Sequence, residues 1–465
     1  MANLDALMCI GNAAVVAPAG HGKTEAIAKT AAKGRRTLIL THTHAGVHAI
    51  RSRLKRLGIP HARVSVDTIA GWCMRYAHAF PKHAEPPPDM PKNGAEWNQL
   101  YRGTRNILDI GPIREIVEAS YDRILIDEYQ DCGDLQHELA SALSEIVPAI
   151  IFGDPMQGIF EFAGANLDWN RTIHPRFPLA MTLEEPHRWN AKNPELGRWI
   201  AETRGKLMRG EVIDLASGPI TYRPTENAFD MGAFFEGLDT KEGSIAAIHC
   251  NKGLCYKLAK STRGGYQAIE EIAANRLRDF AIAWDRATSA HGRHATFKSL
   301  LEDCFHFSEA TPEEAENQAN VELIAEMNAT LQHLSVENSI EAFQSLLTLS
   351  RKHSRWRLFR NELWRDTERS ISEVASGRST SMSEAVSKVR QRVSLTGRQL
   401  PKRTISTPLL LKGLEFDHVL VPDATHFAKE QSAQAKLFYV AISRATRSLT
   451  IASSERYLQF PIPPL

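Results

Sequence analysis

Lys23 and Thr24 close the stretch Ala17-Pro18-Ala19-Gly20-His21-Gly22-Lys23-Thr24, and Glu25 follows. An apolar run precedes it and a helical pattern continues from it, the setting in which a glycine-rich loop cradles phosphates. The glycines let backbone N–H groups approach phosphate oxygens at the positive end of a helix. Lys23 then reaches the β and γ oxygens, and the Thr24 hydroxyl ligates Mg²⁺. Further along, Ile124-Leu125-Ile126-Asp127-Glu128 is an apolar run that ends in two carboxylates. The first is placed to hold Mg²⁺ through water and the second to position or deprotonate the attacking water. Acidic residues at a strand end are commonly helix caps, so this pair takes its meaning from the loop upstream. The expected chemistry is binding of a nucleoside triphosphate with Mg²⁺, followed by its hydrolysis.

Such groups need a scaffold that brings distant loops together. The β-rich runs Ala13–Ala17, Thr37–Thr41, Arg63–Val66, Arg123–Asp127 and Ala149–Gly153 alternate with helical stretches, the pattern of a parallel sheet with helices on both faces. From about Tyr76 to Tyr121 the pattern breaks, because the proline-rich Glu85–Pro91 leads into a helical segment carrying Trp97 and Tyr101. Strand-like runs return at Met181–Leu183, Ser244–His249, His418–Val421 and Leu449–Ala452, while Tyr266 to Gln399 shows mostly helical periodicity. The expected organisation is a first α/β domain over 1–75 and 121–178 with a small insertion at 76–120. A second α/β domain spans 179–265 and 400–465, with a mostly helical insertion at 266–399.

Composition sets the limits. A chain of 465 residues with 43% hydrophobic content has material for large cores, and roughly 150 residues per domain suggests about three units. Lys plus Arg number 56 against 54 Asp plus Glu, so a grip on a polyanion must come from clustered charge. The six cysteines are scattered, and the pair Cys250 and Cys255 has no second pair to complete a zinc site. No signal-peptide succession opens the chain and no long apolar run appears, so a soluble cytoplasmic protein without a membrane partner is expected. The helical insertion is polarised: the acids from Glu302 to Glu341 include no Lys or Arg between them. After them, Arg351, Lys352, Arg355, Arg357 and Arg360 surround Trp356 and Phe359, with Trp364 just beyond, and Lys388, Arg390, Arg392, Arg398, Lys402 and Arg403 follow. That tract either tracks phosphates and stacks bases or is an amphipathic helix with its aromatics in the core.

With these residues in view, the chain resembles superfamily 1 helicases of the UvrD/Rep type. Asp127-Glu128-Tyr129-Gln130-Asp131 is similar to their DE-x-QD motif, and Gly153-Asp154-Pro155-Met156-Gln157 through Phe160, Phe162, Gly164 and Ala165 to the segment that follows it. His187-Arg188 stands where that family has Tyr-Arg. Lys412-Gly413-Leu414-Glu415-Phe416 matches KGLEF, and Phe438 to Ala445 matches the last motif, ending in Ser443-Arg444-Ala445. The resemblance spans both α/β domains in order. It implies two RecA-like domains with ATP and Mg²⁺ between them, Gln157 sensing the γ-phosphate, and Arg188 and Arg444 reaching across the cleft as arginine fingers. It also implies nucleotide contacts from His187, Gly413 and Glu415. Single-stranded or tailed DNA is the implied track, followed 3′ to 5′, with contacts from His42, Thr43, Thr68, Arg75, Phe160 and Phe162.

Some positions depart from that family. No Gln precedes Ala17 to read adenine, and His187 replaces the stacking Tyr, which leaves GTP beside ATP as a substrate. Leu409 replaces a His ahead of Lys412, Ala163 replaces an Arg, and His44-Ala45 replaces the usual Asn-Lys. The leading expectation is a DNA-stimulated ATPase that translocates on single strands or unwinds duplex. The alternative is a DNA-end-sensing NTPase subunit beside a nuclease partner protein. That would resemble in type the compact UvrD-like components of anti-phage systems such as Gabija, and the short stretch after Arg444 accords with a separate nuclease.

Overall fold

The computed structural model describes residues 6–91, 93–159, 167–225, 237–238, 241–262, 265–268, 272–307, 318–334, 339–353, 355–396 and 401–465. The first sheet is built from β1 (Ala13–Val16), β2 (Thr37–Thr41), β3 (Val64–Thr68), β4 (Arg123–Ile126), β5 (Ala149–Gly153) and β6 (Leu179–Thr182), in the order β3-β2-β4-β5-β1-β6. All of its pairings are parallel. Side chains alternate across a strand, so each strand feeds two cores. Ala14, Val16, Leu38, Leu40, Ile124 and Ile126 enter one core, whereas Ala13, Val15, Ile39, Leu125, Ile150 and Phe152 enter the other. Burial on both faces explains why these strands read as unbroken apolar runs.

A short pairing joins β7 (Ile213–Asp214) to β16 (Tyr457–Leu458), antiparallel. The second sheet comprises β8 (Thr221–Pro224), β9 (Ile245–Ile248), β10 (Gln267–Ala268), β13 (Arg403–Ser406), β14 (Phe416–Val421) and β15 (Ala445–Ser453), in the order β10-β13-β9-β14-β15-β8. Its β10-β13, β13-β9 and β9-β14 pairings are parallel. The chain is therefore an α/β protein with two RecA-like sheets.

The described residues form two compact units, one of Met1–Tyr222, Ala424–Leu449 and Glu455–Leu465, the other of Arg223–Asp423 and Thr450–Ser454. Strand β6, at the start of the expected second domain, is hydrogen-bonded in the first sheet beside β1, and the helix Gln434–Ile442 lies in the first unit. Strands β8, β10 and β13 fall outside the sequence expectation. They are short, and β10 has two residues, too few for a periodic signal.

Residues 76–120 are helical, with Pro81–Ala84, Gly94–Ile107 and Gly111–Ser120 packed through Leu100, Ile107, Ile113 and Val117 onto the core that holds Trp72. The later insertion carries the helices Ile272–Arg286, Ala290–Cys304, Gln318–Gln332, Ser339–Lys352, Asn361–Ala375 and Met382–Thr396. It also contains an antiparallel pair, β11 (Phe305–Phe307) and β12 (Trp356–Leu358). Its core stacks Phe280 and Trp284 on Phe343, with ring centroids 5.6 and 4.4 Å apart. Phe359 and Trp364 are buried, so these two aromatics of the basic tract pack inside and do not present faces to bases. Trp356 is half-buried and stacks on His353. Among the described residues no helix is long and apolar enough to cross a membrane.

One packing point of the first insertion is absolute. A Cβ on Gly103 would collide with the backbone carbonyl of Ala84, which no rotamer change relieves. Gly103→Ala is expected to destabilise the first unit by about 1–3 kcal/mol or more, the cost of overpacking a fixed contact. Urea denaturation checks this, and an unchanged midpoint contradicts the packing described.

Candidate active site

The loop at 17–22 leaves the carboxyl end of β1, beside the carboxyl ends of β5 and β4, the edge where open α/β sheets bind ligands. Ala17 N–H donates to Gly153 O over 2.8 Å, which ties the loop to β5. Gly20 and Gly22 adopt φ of 74° and 82°, left-handed values that favour glycine, and Gly22 caps the helix Lys23–Ala31. Space demands Gly20 as well: a Cβ there would lie 2.6 Å from the Trp189 ring and 2.8 Å from Arg188 Cβ. Arg188 N–H donates to Gly20 O (3.0 Å), so the 187–189 turn holds the loop from outside. Buried His21 folds its ring back, with Nδ1 2.8 Å from Ala19 O. Burial is the main influence on that ring and lowers its pKa below the usual 6.5.

Lys23 is the centre of the site. Its Nζ lies 2.7 Å from Asp127 Oδ1 and 2.6 Å from Glu128 Oε1. Burial works against the ammonium, but the two carboxylates outweigh it and hold its pKa above the ordinary lysine value. Burial pushes the Asp127 carboxyl upward, Lys23 opposes this, and Glu128 adds to it. Asp127 follows β4 directly and its backbone N–H donates to Leu40 O of β2. Glu128 takes φ 55°, a costly backbone for a residue with a Cβ, and its N–H donates to Asp127 Oδ1 over 2.8 Å. The strained turn sets both carboxylates against one ammonium.

These donors fit a phosphate-bound Mg²⁺. Among the described residues no three His, Cys, Asp or Glu side chains gather to hold an ion unaided. Mg²⁺ typically takes one or two carboxylates and completes its shell with water and phosphate oxygens, which suits Asp127 with the Thr24 hydroxyl beside Lys23. Thr24 is half-buried on the first turn of the helix. Glu25, next to it, pairs with Lys29 (3.2 Å) and Arg53 (2.8 Å).

Behind the carboxylates, Gln130 Nε2 donates to Glu128 Oε2 (2.5 Å), and Gln130 Oε1 accepts from Asp154 N (3.0 Å). Buried Gln157 donates from Nε2 to Asp154 Oδ2 (3.1 Å). Arg188 Nη1 donates to Ser443 O (2.6 Å), and its guanidinium lies 5.3 Å from the Trp189 ring. Arg444 is fully buried and donates to Val440 O (2.9 Å) and Ser443 Oγ (2.8 Å). Both arginines belong to the unit that carries the loop. His187 is exposed, 3.6 Å from Glu185, and its Cδ2 would sit 3.2 Å from a Cβ on Gly22. Gly413 (φ 80°) and exposed Glu415 belong to the second unit.

Of the expected nucleic-acid contacts, His42, Thr43 and Thr68 fall at neighbouring strand ends, since Thr41 of β2 is in register with Thr68 of β3, and Arg75 lies on the helix Ile69–Ala79. His42 Nε2 is 3.5 Å from Cys132 Sγ, just past the acidic motif. Thr43 and Thr68 cap the next helices by accepting from Gly46 N (3.0 Å) and Gly71 N (2.9 Å). Arg75 pairs with Asp67 (2.6 Å). Phe160 and Phe162 lie outside the described residues. Sequence reasoning assigned no role to Gln130, Asp154, Arg204 or Tyr439. Three of them stand inside recognised motifs, whereas Arg204 carries no sequence signal at all.

Two family models match the chain: the UvrD/REP helicase N-terminal domain over residues 89–178, and the UvrD-like helicase C-terminal domain over residues 406–452. The first span includes Asp127, Glu128 and Gln157, and the second includes Gly413, Glu415 and Arg444. An ATP-dependent helicase/nuclease subunit from Lactococcus lactis subsp. lactis (strain IL1403) is 24% identical over 42% of this chain, a match that spans 18% of that relative's length. Among solved structures, Pif1 helicase from Candida albicans is 10% identical with a TM-score of 0.42, over 98% of this chain and 95% of that one. An arterivirus nonstructural protein 10 helicase, solved with DNA, is 11% identical with a TM-score of 0.35, over 95% of this chain and 60% of that one.

The loop geometry sets two expectations. Gly20→Ala meets both the ring of Trp189 and the left-handed backbone, the latter alone costing about 1–2 kcal/mol; a fluorescent-nucleotide titration is expected to show affinity weakened about tenfold or more. Unweakened binding contradicts the crowding. For His21 the folded pKa is depressed, so its contribution to stability is present above pH 6.5 and falls away as the pH drops below that value. Melting temperatures of wild type and His21→Asn should diverge below pH 6.5, with wild type losing more; parallel profiles contradict a neutral buried His21.

Proposed function

The chain belongs to the UvrD/Rep-type superfamily 1 helicases, and from that premise we propose that it is a DNA-stimulated ATPase that moves along single-stranded DNA, 3′ to 5′, and unwinds duplex as it goes. The observation that carries this reading is Lys23, held by Asp127 and Glu128 at the carboxyl edge of a parallel sheet. On nucleotide binding the Lys23 ammonium exchanges carboxylate partners for β and γ oxygens, helped by backbone N–H groups of the loop at the helix N-terminus. Thr24 and Asp127 would hold Mg²⁺, which supplies charge neutralisation at the phosphates. Glu128, released from Lys23 and still held by Gln130, accepts the proton of the attacking water. Gln157 is oriented by Asp154 to sense the γ-phosphate, and Arg188 and Arg444 offset charge on the transferring group. His187, beside Gly22 where the family has its stacking Tyr, admits GTP as well as ATP. His42 and Thr43 after β2, Thr68 at the end of β3 and Arg75 on the helix Ile69–Ala79 that follows it, with Phe160 and Phe162, provide the sequence-tolerant track.

The likeness to a helicase/nuclease component favours a second reading, an end-sensing NTPase that works beside a nuclease in anti-phage defence. Robust unwinding of a tailed duplex by the isolated chain, with no nuclease copurifying, counts against it.

The discriminating assay is hydrolysis of ATP and GTP with no nucleic acid, single-stranded DNA, blunt duplex or RNA, beside Lys23→Ala. Single-stranded DNA is expected to raise the rate sharply. Lys23→Ala is expected to lower it about 100-fold or more while the circular dichroism spectrum is retained, because Lys23 contacts phosphate and not the apolar core. Hydrolysis that survives the substitution refutes the site, and indifference to every form of DNA refutes the track.

A further inference from the structure

We infer that Arg204 is a positioning residue of the hydrolytic site, locking Asp154 and Tyr439 together so that Gln157 and the phosphate loop keep a fixed register; the inference rests on the nucleotide-hydrolysing reading above. Arg204 lies on the helix Pro194–Arg209, remote in sequence from every motif residue it meets. Its side chain is 11% exposed and that of Asp154 is 1% exposed, with Nη2 2.7 Å from Asp154 Oδ1. The same guanidinium lies over the Tyr439 ring, 5.9 Å from its centroid, within reach of a cation–π contact. That hydroxyl accepts Ala19 N–H of the loop over 3.0 Å. Asp154 in turn receives Met156 N (3.2 Å) and Gln157 Nε2 (3.1 Å), while its own N–H donates to Gln130, the partner of Glu128.

One side chain thus joins two branches. One runs through Tyr439 to the loop and the other runs through Asp154 to Gln157 and, by way of Gln130, to Glu128. A salt bridge that only held the helix in place would need Asp154 alone; it leaves unexplained why the guanidinium also lies over the ring of a tyrosine whose hydroxyl serves a phosphate-loop N–H. Removing Arg204 leaves the Asp154 carboxylate buried without its counter-charge, and such a group rearranges or takes up a proton, with its hold on Gln157 altered in either case. The loop retains its bonds to Gly153 and Arg188, so nucleotide binding persists where alignment fails.

The test uses the full chain and compares wild type, Arg204→Met, Arg204→Lys, Gln157→Ala and the Arg204→Met/Gln157→Ala double variant. Readouts are kcat and KM for ATP with saturating single-stranded DNA, and the affinity for a fluorescent non-hydrolysable ATP analogue. Misalignment predicts that Arg204→Met lowers kcat on the order of 10- to 100-fold with analogue affinity within about threefold of wild type. Arg204→Lys, which keeps the charge on Asp154 but not the fork, should recover part of the loss, and the double variant should be no slower than the slower single. A wild-type kcat in Arg204→Met, parallel loss of kcat and affinity without recovery by Lys, or losses that multiply in the double variant each overturn the inference. Should Arg204→Met not fold, Arg204→Lys decides alone: a lowered kcat at unchanged affinity supports the role and a wild-type kcat overturns it. A wild type no more active than Lys23→Ala fails the parent reading as well and is recognised by that equality.

Discussion

An ammonium placed in a protein interior must find negative charge or lose its proton, and Lys23 finds two carboxylates, 2.7 and 2.6 Å away. Much of the first unit can be understood from that requirement. Asp127 and Glu128 reach Lys23 only because β4 and β1 run parallel in one sheet, separated by β5, with their carboxyl ends at one edge. Glu128 must also turn through a left-handed backbone to face the same nitrogen, strain of the kind that clusters where a site needs a group held out of its relaxed position. The pairing is self-limiting. It keeps three charges satisfied, and in the proposed reaction phosphate oxygens would compete with the two carboxylates for the same ammonium and free them for the metal and the water.

The loop itself is held through its own backbone, by both backbone and side-chain partners. Ala17 is bonded to Gly153, Gly20 to the amide of Arg188, and Ala19 to the hydroxyl of Tyr439. Trp189 presses on Gly20 and donates from Nε1 to Ala445 O over 2.7 Å, so the turn that carries His187 and Arg188 is anchored on the same segment as Arg444. The residues between 434 and 449 therefore act on the loop from within the first unit. Burial pushes the Tyr439 phenol pKa upward, with Asp154 adding to it, which keeps the phenol protonated.

Local features of the site were legible in the sequence, and features that depend on tertiary neighbours were not. The glycine-rich loop and the apolar run ending in Asp127 and Glu128 announce themselves because their chemistry lies in consecutive residues. The alternation of helices with strands buried on both faces announced the α/β class. Arg204 was invisible, since nothing about an arginine within a polar helix says that it meets Asp154. The roles of Gln130 and Tyr439 emerged only from their partners, Glu128 and Ala19. Strand β6 reads like any apolar run, and only its pairing with β1 places it in the first sheet. Trp364 and Phe359, which beside so many arginines suggested base stacking, are buried because the amphipathic helix and the β11–β12 pair turn them inward. Thr43 and Thr68 show the converse: both are helix caps, a role their residue type favours and their position between strand and helix allows.

The central claim is that Lys23, Asp127 and Glu128 form a site in which binding and bond cleavage are divided among residues, with Glu128 reserved for the water. Single-turnover ATP hydrolysis by Glu128→Gln, measured beside its equilibrium nucleotide affinity, tests this most directly. The account predicts affinity within about threefold of wild type and a cleavage rate lower by about 100-fold or more, the loss expected when a general base is removed. Cleavage at the wild-type rate, or affinity lost in step with the rate, would contradict it.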